Sequence, residues 1–162
     1  RRLIGIIPEQ ESPPSFLTVM EYLEFIADIR KIPDLEERAD WWFEFLEYGD
    51  KKDVLCKDLS RGTRQKLMLT QAFIHEPELA LIDEPLINFD PVMQDKVKSF
   101  FVSYTKQGKT LFISTHLLDT AEEICTNVAI LHLGELLYTG TMEKVRQEGR
   151  HLSDLFLSLV RK

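Results

Sequence analysis

A chain of 162 residues, 44% hydrophobic and 29% charged, is long enough for one domain with a real core and has an ordinary globular composition. Its formal charge of −7 argues against broad nucleic-acid binding, which needs a basic surface. No apolar run approaches the ~18 residues of a membrane-spanning helix and no secretory signal is expected; Cys56 and Cys125 form no CxxC pair, so two free buried thiols in a reducing compartment are expected.

Residues 2–7 form a short apolar run that predicts a buried strand. A polar stretch with two adjacent prolines, 8–15, reads as a loop. Thr18 and Glu21 have capping-box spacing at the start of a helix in which Tyr22, Phe25, Ile26 and Ile29 recur at helical intervals. Asp34 and Glu37 repeat that spacing before a second helix carrying Trp42, Phe43 and Leu46. Ser60 is expected to cap a third helix with Leu67, Met68, Ala72 and Ile74 on its apolar face. A strand over 79–83 follows. Asp90-Pro91 then starts a helix with Met93, Val97, Phe100, Phe101 and Tyr104 as its buried stripe, ended by Gly108. A strand over 110–114, a helix near 117–125, a hairpin over 128–133 and 135–138 turning at Gly134, and two short helices complete the chain. Strands alternating with helices imply an α/β fold with a largely parallel sheet covered on both faces.

Within this pattern one ordered constellation carries chemistry. Ser60 and Gly62 place amides and a hydroxyl at a helix start, a natural anion site. Asp83 and Glu84 stand at the carboxyl end of an apolar strand, where ligands bind in open α/β sheets. Because successive strand side chains alternate, one carboxylate can serve a cation while its neighbour faces a reacting water. Asp90 caps the next helix, and His116 follows the next strand.

These residues carry a resemblance. Residues 3–160 resemble about the C-terminal two-thirds of an ATP-binding-cassette (ABC) ATPase, the motor subunit of ABC transporters. Leu59-Ser60-Arg61-Gly62-Thr63 is similar to the signature motif, with Arg61 and Thr63 in place of the commoner Gly and Gln. Leu79-Ala80-Leu81-Ile82-Asp83-Glu84 resembles the Walker B strand, Asn88-Phe89-Asp90 the D-loop, and Ser114-Thr115-His116 the switch-histidine loop. The resemblance implies a partial P-loop NTPase-type core plus an α-helical subdomain. It divides the chain into a core remnant with the Q-loop (1–17), the helical subdomain (18–58), and the signature helix with the rest of the core (59–162). It implies ATP and Mg²⁺ as ligands, Asp83 as the metal residue, Glu84 as the general base and His116 as the γ-phosphate switch. Ser60, Arg61 and Gly62 would contact the ATP of a second nucleotide-binding domain, and Asp90 would cross the same dimer interface. Glu9 holds the usual position of the Q-loop glutamine and Gln10 lies one residue later; either could approach the metal.

The Gly108-Lys109-Thr110 tripeptide imitates the end of a phosphate-binding loop, but Ser103 stands where the first glycine is needed and a strand follows instead of a helix. A true P-loop unit of at least ~30 residues is expected before Arg1. The complete protein is therefore expected to hydrolyse ATP, and this chain alone to be inactive. The implied partners are the second nucleotide-binding domain and a transmembrane permease, on the cytoplasmic face of the membrane, with no nucleic acid. The signature region and the Ser153-Asp154-Leu155-Phe156 tail resemble the exporter branch. The alternatives are a non-transport ABC ATPase acting on nucleic acid, disfavoured by the acidic balance and the short helical insert, and a degenerate cassette that only dimerises or regulates.

Overall fold

Three strands, β1 (Ile4–Ile7), β2 (Leu79–Asp83) and β3 (Thr110–Ser114), pair in parallel in that order in a computed structural model describing residues 3–8 and 13–161. The register sets Ile6 opposite Leu81 and Leu81 opposite Phe112, and sets Gly5 opposite Ala80 and Ile7 opposite Ile82. The chain divides into two compact units, Arg1–Ser114 and Thr115–Lys162.

In the first unit, α3 (Arg61–Phe73) and α4 (Pro91–Lys106) pack on the sheet, and α1 (Val19–Arg30) contacts α2 (Leu35–Phe45) and α3. Thr18 closes the expected capping box: its hydroxyl accepts from the Glu21 amide at 3.2 Å, and the Glu21 carboxylate accepts from the Thr18 amide at 2.8 Å. Asp34 behaves differently from the expectation. It sits in the left-handed region (φ 54°) and makes no side-chain cap bond, because that backbone turns its carboxylate away from the first-turn amides. The stripe on α1 is also rotated: Val19, Tyr22, Leu23 and Ala27 are buried, whereas Phe25 and Ile29 are about half exposed.

Helix α3 lies so close to β1 that a Cβ on Gly5 would stand 2.3 Å from the Ala72 carbonyl oxygen, and only glycine permits this packing. The outer edge of β1 is satisfied by side chains. Gln71, buried, donates to the Ile6 carbonyl at 2.8 Å, and Arg30 donates to the Ile4 carbonyl at 3.0 Å. Unpaired edge carbonyls are costly, and these bonds cover the alternate carbonyls that point away from β2. Rings from α2, α3 and α4 interlock, with Trp42, Phe73 and Tyr104 buried around Phe100.

The expectation that helices cover both faces of the sheet is corrected. Ile4 (39%), Ile6 (47%), Leu81 (38%) and Phe112 (65%) are exposed. Side-chain alternation sends one row of each strand to the helices and the other to this exposed face.

In the second unit, α5 (Leu118–Ile124) is followed by the antiparallel hairpin β4 (Asn127–His132) and β5 (Glu135–Thr141), which turns at Gly134 (φ 83°). Helices α6 (Met142–Gln147) and α7 (Leu152–Val160) pack a small core of Ile130, Met142, Val145, Leu152 and Leu155. Both cysteines are free; Cys56 is buried and Cys125 only half-buried, and burial raises both thiols above their usual range.

Candidate functional site

Ser60 is the N-cap of α3, its hydroxyl accepting from the Thr63 amide at 3.2 Å and lying 2.9 Å from the Thr63 hydroxyl. The cap leaves the amides of the first turn directed outward, with Ser60 and Arg61 exposed. Gly62 is set against the loop that follows β2: a Cβ there would lie 3.1 Å from the Asn88 carbonyl oxygen.

Strand β2 delivers Asp83 and Glu84 to the carboxyl end of the sheet, both half-buried. The pleat ends at Asp83. Glu84 adopts φ 45°, and its amide donates to the Ser114 carbonyl of β3 at 2.9 Å. The alternation expected to set the two carboxylates on opposite faces therefore stops one residue early, and a left-handed turn directs Glu84 instead. A non-glycine residue in this region is strained, and such strain collects at functional sites.

The turn 85–89 is held from two helices. Gln65 of α3 donates to the Pro85 carbonyl at 3.2 Å, while Gln94 of α4 donates to Leu86 and Phe89 carbonyls at 3.2 and 3.1 Å. The turn ends at Asp90, whose carboxylate accepts from the Val92 and Met93 amides at 3.0 and 3.1 Å, as expected of the cap. The Met93 and Val92 amides, with the Lys66 charge, hold its carboxyl below the usual range.

Ser60, Arg61, Gly62, Asp83, Glu84 and Asp90 thus belong to one unit, and within it the α3 turn touches the loop between Glu84 and Asp90. His116 belongs to the second unit, is exposed, and follows the end of β3 by two residues. Glu9 and Gln10 lie outside the described residues. Gly108 (φ 86°) ends α4, Lys109 pairs with Glu78 at 2.6 Å and Thr110 opens β3, so the phosphate-loop imitation is a helix end entering a strand. No site role was expected for Gln65 or Gln94, nor was the Gly62 contact. A glutamine on a helix carries no periodic signal, and each contact spans residues apart in the chain.

Among the described residues, no group of three or more His, Cys, Asp and Glu side chains is placed to enclose a metal. The oxygen donors present suit Mg²⁺, which keeps several waters and binds one or two carboxylates plus substrate phosphates. Asp83 at an accessible strand end provides such a partial donor set.

Residues 1–87 match a family model described as ABC transporter. The chain is 34% identical over 160 residues to the uncharacterized ABC transporter ATP-binding protein YthP of Bacillus subtilis, covering 95% of this chain and 68% of that protein. It is 32% identical over 149 residues to the uncharacterized ABC transporter ATP-binding protein sll0415 of Synechocystis sp., covering 90% and 42%. A solved structure described as the ATP binding subunit of an ABC transporter superposes with a TM-score of 0.89 at 29% identity, over 99% of this chain and 69% of that one.

Proposed function

This chain belongs to the ATP-binding proteins of the ABC transporter family, and from that premise we propose that it is part of a subunit that hydrolyses ATP to drive an exporter-like transporter. The observation that carries the reading is the contact between the Ser60–Gly62 turn and the loop running from Glu84 to Asp90, at the carboxyl end of a parallel sheet.

In this proposal Glu84 takes a proton from the water that attacks the γ-phosphorus of ATP, as the bond to the ADP oxygen breaks. Asp83 would hold Mg²⁺, which would supply charge neutralisation on the phosphates. The amides of the Ser60–Gly62 turn meet the γ-phosphate of ATP on a second nucleotide-binding domain, and Arg61 adds positive charge beside it. Asp90 fixes the loop that crosses to that partner, and His116 orients the γ-phosphate. A permease subunit would hold the protein at the cytoplasmic face of the membrane; among the described residues no helix is long and apolar enough to cross one.

The test uses the full-length subunit. Glu84→Gln removes the base and keeps size and polarity, so turnover should fall by roughly 10²–10⁴-fold with ATP binding retained and the ATP-bound dimer trapped. Wild-type turnover in this variant would remove Glu84 from the role of base. The 162-residue chain alone should bind Mg-ATP weakly, since the amides and lysine of a P-loop carry most phosphate binding in this architecture; micromolar affinity in a calorimetric titration would place the phosphate site within these residues.

A further inference from the structure

We propose that Gln65 is a positioning residue for the general base, fixing the peptide after Glu84 and coupling that carboxylate to the turn that opens α3. The inference rests on the assignment of Glu84 as base.

Glu84 lies outside the strand ladder at φ 45°, a conformation that a glutamate does not hold by its own preference. Its amide side is anchored by the bond to the Ser114 carbonyl at 2.9 Å. Its carbonyl side leads into Pro85, which has no amide to donate, so the next anchor must come through a carbonyl. Gln65 provides it, with its Nε2 at 3.2 Å from the Pro85 oxygen. The strained residue is therefore pinned on both sides, once by β3 and once by α3.

Gln65 lies five residues beyond Ser60, between the first turn of α3 and its fully buried portion that begins at Leu67. One turn earlier, Gly62 approaches the Asn88 carbonyl oxygen so closely that a Cβ would stand 3.1 Å away. The first two turns of α3 thus meet the 84–90 loop at both ends. A displacement of the Ser60–Gly62 turn would be carried to the Pro85 peptide through a side chain of few torsions. Gln94 holds the far part of the same loop, at Leu86 and Phe89, whereas Gln65 reaches the peptide next to Glu84.

The experiment compares four variants of the full-length ATPase: Gln65→Leu, Gln65→Lys, Glu84→Gln, and Gln65→Leu combined with Glu84→Gln. Leucine keeps much of the volume and removes the donor, and lysine restores a donor with sufficient reach. Gln65→Leu should lower kcat by roughly ten- to a hundredfold, the scale of a misplaced catalytic group, with KM for ATP and the melting temperature nearly unchanged. Gln65→Lys should recover most of the loss. In the Glu84→Gln background, Gln65→Leu should cause no further loss, because its effect runs through the base. A kcat within twofold of wild type in Gln65→Leu, or a full multiplicative loss in the double variant, would overturn the proposal. If Gln65→Leu is not recovered folded, Gln65→Asn, which keeps the amide but shortens its reach by one methylene, should show the same kcat loss, and wild-type kcat there overturns it equally. Wild-type turnover in Glu84→Gln would instead sink the assignment of the base, and the two failures are separately visible.

Discussion

His75 stands where α3 gives way to β2, with its Nε2 2.7 Å from Arg30 Nη1. The same Nε2 lies 3.1 Å from the Ile4 carbonyl oxygen, and Nδ1 is a buried atom with no hydrogen-bond partner. Burial, reinforced by the Arg30 charge and opposed by the Ile4 carbonyl, pushes the pKa down to about 4 from 6.5. The unfolded state therefore binds more protons between these values. Stability from neutral His75 is fully present above about pH 6.5 and is lost as the pH falls toward about 4. Replacing it by glutamine keeps an acceptor for Arg30 and removes the titration. Melting temperatures of wild type and His75→Gln, followed from pH 7 to pH 4, should diverge in slope, with the variant flatter; parallel curves would mean that His75 is not buried neutral.

Among the elements, α2 is joined to the core by rings more than by polar bonds. Trp42 is 5% exposed and meets Phe100 edge-on with centroids 5.2 Å apart, and Phe100 in turn meets Phe73 at 5.2 Å. Arg38 adds bonds to the Ile74 carbonyl and the Glu76 carboxylate, each at 3.0 Å. Truncating a buried aromatic costs about 3–5 kcal/mol, through lost transfer energy and the cavity left behind. Trp42→Ala should therefore lower the urea midpoint substantially. Trp41→Ala should do so much less, since Trp41 is 50% exposed although it stacks on Phe45. Equal losses for the two variants would place the load on the surface stack instead of on the Trp42–Phe100–Phe73 chain. The joint also bears on the candidate site, because α3, which carries the Ser60 turn at one end, presents Phe73 to Trp42 at the other.

At the scale of the whole molecule, the exposed sheet face predicts association in solution. Ile6, Leu81 and Phe112 form a cross-strand apolar row on adjacent strands, and contiguous exposed patches of this kind are association sites. The 162-residue chain should associate as concentration rises, and Leu81→Thr with Phe112→Thr should weaken that association while placing strand-favouring β-branched residues at both positions. Sedimentation at several concentrations measures it. A monomer across the whole range in the unmodified chain would show that this face does not drive association.

The sequence by itself determined what is local. The limits of β2 and β3, the caps at Thr18, Ser60 and Asp90, and the turns at Gly108 and Gly134 agree with their expected positions, because each depends on residues within one turn or one strand. The order of the candidate site was legible for the same reason, since Ser60, Gly62, Asp83, Glu84 and Asp90 sit at element ends that announce themselves. Only the tertiary structure decided which way those ends face and what holds them. The rotation that exposes Phe25 and Ile29, the left-handed backbone at Asp34 and Glu84, and the bonds from Gln65, Gln71 and Arg30 to distant carbonyls leave no periodic trace. The bare sheet face belongs to the same class: an apolar strand reads alike whether one of its faces is covered or open, because hydrophobicity records the tendency to be buried and packing alone supplies the partner.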